Sequence, residues 1–161
     1  MRYFLILALS VLVFASCNKA EAPVTREDEL RSGRWKISGL TINHDPYIGQ
    51  KAVYRVYDSA FANCDRDNYI EFSSNYLATQ KNGEKCSGAE PDEVPFRWEL
   101  EDNGEKINFW FADHTFFGQP AVSAPFLSYT ENSFSIRFVE LETVHQNNQD
   151  TFTYTYTFQK F

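Results

Sequence analysis

Apolar and polar residues alternate with a period of two along most of this chain, and that period places successive side chains on opposite faces of an extended strand. The clearest case is Phe96, Trp98 and Leu100 alternating with Arg97, Glu99 and Glu101, followed by a turn at Asp102-Asn103-Gly104. Ile107, Phe109 and Phe111 then alternate with Asn108, Trp110 and Ala112, which completes a predicted hairpin. The same rhythm recurs in Phe134, Ile136 and Phe138 against Ser135, Arg137 and Val139. It returns in a final strand, where Phe152, Tyr154, Tyr156 and Phe158 alternate with threonines. Shorter strands are predicted at Arg34 to Ile42, with Trp35 and Ile37 on one face, and at Tyr69 to Phe72. Two more follow, at Tyr76 to Lys81 across Ser73-Ser74-Asn75, and at Phe126 to Thr130 before a turn at Glu131-Asn132. Asn82-Gly83 is a turn signal, since both residues tolerate positive φ. Gln146 to Asp150 is expected to be a polar loop.

Thr25-Arg26-Glu27-Asp28 is suited to cap a short helical turn, with the hydroxyl meeting free amides and the acids facing the positive helix end. Tyr54, Tyr57 and Phe61 recur at helical spacing, so the segment Lys51 to Ala60 fits a short helix or an extra strand. Eight consecutive strands joined by tight turns, each with one apolar face, predict an all-β, antiparallel up-and-down barrel behind an N-terminal helical turn. Closure removes the unpaired edges that such a sheet would otherwise expose.

The start of the chain follows another rule. Arg2 precedes a mostly apolar run from Phe4 to Phe14, too short for a membrane-spanning helix of about 20 residues but fitted to a secretory signal. Phe14-Ala15-Ser16-Cys17 resembles the lipobox of bacterial lipoproteins. Phe14 stands where leucine is usual, a departure found in lipoproteins of the Bacteroidetes type. The implied organisation is a signal peptide over 1–16, a lipidated Cys17 with a polar tether over 17–25, and one folded domain over 26–161. Lipoprotein modification supplies the several acyl chains that stable anchoring takes. It places the protein in the cell envelope, on the periplasmic or the surface face of the outer membrane. Cys64 and Cys86 then remain as an even pair in an oxidising compartment and are expected to form a disulfide.

Composition narrows the functional classes. Fifteen Phe, nine Tyr and three Trp favour strands and large buried areas. The formal charge is −7, and removing residues 1–16, which hold Arg2 and no acid, takes it to −8. That field repels phosphate backbones, so nucleic acid is not an expected partner.

Gly33-x-Trp35 at the start of the first strand resembles the lipocalin Gly-x-Trp signature, which in that family also follows a helical turn. Cys64-Asp65-Arg66-Asp67-Asn68 running into a strand, a second cysteine, Trp98-Glu99-Leu100 and an aromatic-threonine last strand resemble the lipocalin-like lipoproteins of Bacteroidetes. The resemblance spans residues 26 to 161. It implies a basic side chain packed over the tryptophan near the barrel end, with Arg137 and Lys160 as the candidates.

Catalytic chemistry finds no pattern. His44, His114 and His145 lack ligand spacing and read as solvated loop residues. Asp65 to Asn68 lacks the glycine and terminal glutamate of a calcium loop, and reads as a turn. No phosphate loop, nucleophile elbow or dinucleotide fingerprint is present. The expectation is a non-enzymatic monomer without cofactor. Its barrel interior, lined by Trp35, Phe72, Trp98, Phe109, Phe134 and Tyr156, either packs solid or holds a small hydrophobic ligand. The alternative is an envelope interaction module with the barrel as scaffold. Mass spectrometry of the protein extracted from its membrane is expected to show a mature N-terminus at an acylated Cys17, and Cys17→Ser to leave the leader uncleaved.

Overall fold

A sheet with one apolar face must bury it, and a long run of antiparallel strands does so by curling until its first and last members meet. The computed structural model describes residues 23–46, 49–111, 120–145 and 148–161, the side chains of 142–145 and 148 excepted. Cys17 and His114 lie outside the described residues. A short helix α1 (Arg26–Arg31) leads into β1 (Arg34–Asp45), β2 (Ala52–Arg55) and the single turn α2 (Tyr57–Ala60). After a 3-10 turn at Asn63–Asp65 come β3 (Tyr69–Phe72), β4 (Leu77–Lys81), β5 (Glu93–Glu101) and β6 (Lys106–Phe111). The chain ends with β7 (Ala121–Thr130), β8 (Ser133–His145) and β9 (Asn148–Lys160).

Strands β1 and β3 to β9 pair antiparallel in chain order, and β9 returns to β1, closing an eight-stranded up-and-down barrel. The closing ladder runs from Trp35↔Lys160 to Asp45↔Thr151. A bulge at Ser38 interrupts it between Ile37 and Gly39. That extra residue keeps both Ile37 and Leu40 inside, three positions apart where strict alternation would turn one outward. Between Lys51 and Ala60 both alternatives are realised: β2 extends the edge of β1 from Thr41↔Arg55 to His44↔Ala52, and α2 follows.

One end of the barrel is sealed by the N-terminal segment. Thr25 and Asp28 form a reciprocal capping box on α1. The helix drops Leu30 into the barrel floor beside Trp35, both fully buried. Trp35 Nε1 donates to the Leu30 carbonyl at 2.8 Å, so the indole is satisfied without water. Arg26 bonds the Gly104 carbonyl and lies over the rings of Phe126 and Tyr129 at 4.8 and 4.6 Å. Lys160 places its ammonium 5.8 Å from the Trp35 ring and donates to Ser32 Oγ at 2.9 Å, whereas Arg137 points outward. The basic cover over the tryptophan is therefore Lys160. Gly33 is required beneath it, because a Cβ there would collide with the Lys160 stem.

Two turns differ from expectation. Asn82-Gly83 adopts no positive φ and makes no tight hairpin; β4 and β5 are joined by a longer loop over 82–92. Gly83 serves close approach instead, since a Cβ would meet the Asp67 carboxylate. Its amide donates to Asn68 Oδ1 at 3.0 Å, while Glu84 N donates to Asp67 Oδ2 at 2.9 Å. So Asp67 and Asn68 clamp the loop. The second difference lies between the last two strands. β8 runs to His145 and β9 starts at Asn148, which puts Asp150 in a strand opposite Glu142.

Cys64 and Cys86 are joined in a disulfide with Cα atoms 5.2 Å apart, tying the 3-10 turn to the 82–92 loop. With the partners 22 positions apart in sequence, Cys64→Ser with Cys86→Ser is expected to lower unfolding free energy by ~3 kcal/mol, measured by urea denaturation.

Candidate functional site

The inner face of the barrel changes character along its axis. At the sealed end rings fill it: Trp35 meets Phe134 at 4.9 Å, Phe134 stacks on Phe158 at 4.6 Å, and Phe72 meets Trp98 at 4.8 Å. Phe109 joins them, 6.3 Å from Phe72 and 5.8 Å from Phe96. Trp98 Nε1 donates to the Leu77 carbonyl at 2.9 Å. Aromatic edges and faces meeting at such distances are core packing.

Toward the other end the same strands become accessible. Along β9, Phe158 and Tyr156 are buried, Tyr154 and Phe152 are half-buried, and Asp150 follows. Along β1, buried Trp35, Ile37 and Leu40 give way to half-buried Ile42 and His44. Along β8, buried Phe134, Ile136 and Phe138 give way to half-buried Glu140, while Val139 and Leu141 on the outer face are exposed. Three adjacent strands thus grade from dry to wet in step, and that gradient marks the open end.

The residues at this open end carry polar groups. His44 and Phe152 sit opposite each other in register and stack with centroids 4.4 Å apart. His44 Nε2 lies 2.8 Å from Asp150 Oδ2, with the two side chains 24% and 14% exposed. Asp45, on the opposite face, pairs with Lys51. His44 is therefore an inward strand residue rather than a solvated loop residue. Below this pair Phe138 stacks on Tyr154 and Tyr156 at 5.2 and 5.8 Å. Burial, with Tyr154 and Glu140 close by, holds the Tyr156 hydroxyl well above its usual pKa. On another wall, Gln80 is buried on the inner face of β4, and its Oε1 has no hydrogen-bond partner.

All six residues expected to line the interior do face it and are buried. Five of them, Trp35, Phe72, Trp98, Phe109 and Phe134, pack against one another or their neighbours in the sealed part. Only Tyr156 borders the open half. Sequence reading missed Ile42, His44, Gln80, Glu140, Asp150 and Tyr154. Continuing the period-two count of the last strand back to Asp150 is a signal for Asp150 alone among them. Cys64, Asp65 and Cys86 are the one group of three ligand-type side chains found clustered among the described residues, and both sulfurs are already bonded to each other. Comparison with known proteins matches no family model and no curated protein.

Tyr129 behaves like Tyr156, its hydroxyl raised mainly by burial and next by Glu29. A raised pKa favours the protonated phenol in the folded state, so the stability it contributes is intact below the usual tyrosine value of about 10 and is lost as pH rises beyond it. An alkaline titration followed by phenolate absorbance is expected to show these two tyrosines ionising only as the barrel unfolds. Tyr156→Phe should remove one late-ionising group.

Proposed function

We propose that this chain is a lipid-tethered, non-enzymatic binding protein of the bacterial envelope, with lipocalin-like architecture, that holds a small, largely apolar molecule in the open half of its barrel. The observation that supports this reading is the concerted gradient on β1, β8 and β9. A barrel packed solid throughout would bury its inner face equally at both ends. Here the inward aromatic residues Phe152 and Tyr154 stay partly accessible beside fully buried Tyr156 and Phe158. Half-exposed rings inside a concave wall are the usual lining of small-molecule sites. The sealed floor, fixed by Leu30, Trp35 and Lys160, supplies rigidity, so the site is formed before ligand arrives and little ordering cost falls on binding.

A second reading, an envelope interaction module, is supported by the outer face of β4 to β6. There Leu77 and Trp110 are exposed around Arg97, and with Pro95, Phe96 and Phe111 they border a hollow of about 320 Å³. Exposed aromatic and arginine side chains together are typical of contact surfaces.

The two readings separate in one assay. With the acylated protein in phosphatidylcholine nanodiscs, a neutral apolar chromophore such as retinol is expected to quench tryptophan fluorescence saturably, at one probe per barrel. Quenching that rises linearly and matches empty nanodiscs would remove the binding reading. Trp110→Ala should leave the saturable signal intact, since that side chain faces outward.

A further inference from the structure

Resting on the proposed binding function, the chemistry of the open half narrows the ligand class. Among the described residues, the inner wall there presents carboxylates, an unpartnered amide oxygen and ring faces. Asn82 Nδ2 donates to the Pro91 carbonyl at 2.8 Å, which turns the Asn82 Oδ1 toward Gln80. Gln80 Nε2 donates to that oxygen at 2.7 Å, so its own carbonyl oxygen is the atom left over, in a side chain only 7% exposed. A buried acceptor without a partner is destabilising, so a hydrogen-bond donor at this place stabilises the fold. Glu140 is inward and half-buried and has no ion-pair partner among the described residues. Asp150 is inward too, shared with His44.

Among the described residues, no Lys or Arg answers these acids from within or occupies the inner face of the open half. Lys51 and Lys85, in loops at this end, are held by Asp45 and Asp92. Arg55 and Arg137 lie on outward positions paired with Thr41 and Thr155. The segments 47–48, 112–119 and 142–148 contain no Lys or Arg in their sequence. The basic residues on the barrel axis, Arg26 and Lys160, are at the sealed end. Phe138, Phe152, Tyr154 and Tyr156 add ring faces, which attract cations through their quadrupole.

We propose that the open half of the barrel binds a primary amine with an apolar body, its ammonium held among Glu140, the Asp150–His44 pair and the surrounding aromatic faces, with Gln80 Oε1 as a further acceptor. The apolar body lies against Leu40, Ile42 and Phe138. Apolar acids are disfavoured by the same groups.

Isothermal titration of the acylated protein in phosphatidylcholine nanodiscs tests this with three water-soluble probes of matched shape: 3-phenylpropylamine, 3-phenylpropanol and 3-phenylpropanoate. The amine is expected to bind about ten-fold more tightly than the alcohol, and the carboxylate most weakly. Glu140→Gln should bring the amine down to the alcohol's affinity while leaving the alcohol and the thermal midpoint unchanged. Gln80→Leu should weaken amine and alcohol alike, because it removes an acceptor common to both. Equal affinities for the three probes, or preference for the carboxylate, would overturn the amine assignment and leave the binding function standing. Absence of heat with all three, together with linear quenching by apolar probes, would overturn both.

Discussion

Edge-to-edge pairing of β1 with β9 brings together residues more than a hundred positions apart in the chain, and every other feature presupposes it. Without that ladder the strands would form an open sheet with two unpaired margins and an apolar face exposed to water. With it, Trp35 meets Phe134 and Phe158, Lys160 reaches the indole, and His44 comes opposite Phe152 and beside Asp150. Contacts of such sequence separation form against the full entropy of loop closure, so closure is expected late in folding. The hairpins from β4 to β8 depend only on neighbours in sequence, and the disulfide ties the least regular part of the wall to them.

Much of this architecture is visible in the residue pattern because side-chain alternation and barrel closure share one cause, a single apolar face. The hairpin around Asp102-Asn103-Gly104 is legible for a further reason: all three residues take positive φ there, and Asn, Asp and Gly tolerate it best. Asn82-Gly83 carries an equally good local signal but is overruled by tertiary contact, since Asn68 accepts from the Gly83 amide and Asp67 from the Glu84 amide that follows. The floor beneath Trp35 is partly legible. Gly33 and Trp35 announce it, yet the choice between Arg137 and Lys160 depends on which face of its strand each occupies near the barrel end, and that needs the register.

The open end was harder to read. His44 and Asp150 are 106 positions apart, and neither stands out among its neighbours. Asp150 follows Gln146-Asn147-Asn148-Gln149, a polar run that looks like loop, but β9 already begins at Asn148 and carries Asp150 opposite Glu142. Gln80 offers no sequence signal at all, because its unmet acceptor arises from how Asn82 and Pro91 are arranged beside it. Sites assembled from several strands have no spacing of their own. What is local, such as aromatic alternation, reports the wall; what the wall encloses depends on closure.

The helix that plugs the floor would also decide how a barrel tethered at Cys17 hangs. Eight residues separate Cys17 from Arg26, so an acyl anchor at Cys17, as we propose, would draw the plugged end down to within about 30 Å of the bilayer. The mouth, with His44, Glu140 and Asp150 at its rim, would then point away from the lipid. Cargo would be taken from and returned to the aqueous space rather than drawn sideways out of the membrane, and the anchor would restrict where the protein diffuses without blocking its entrance.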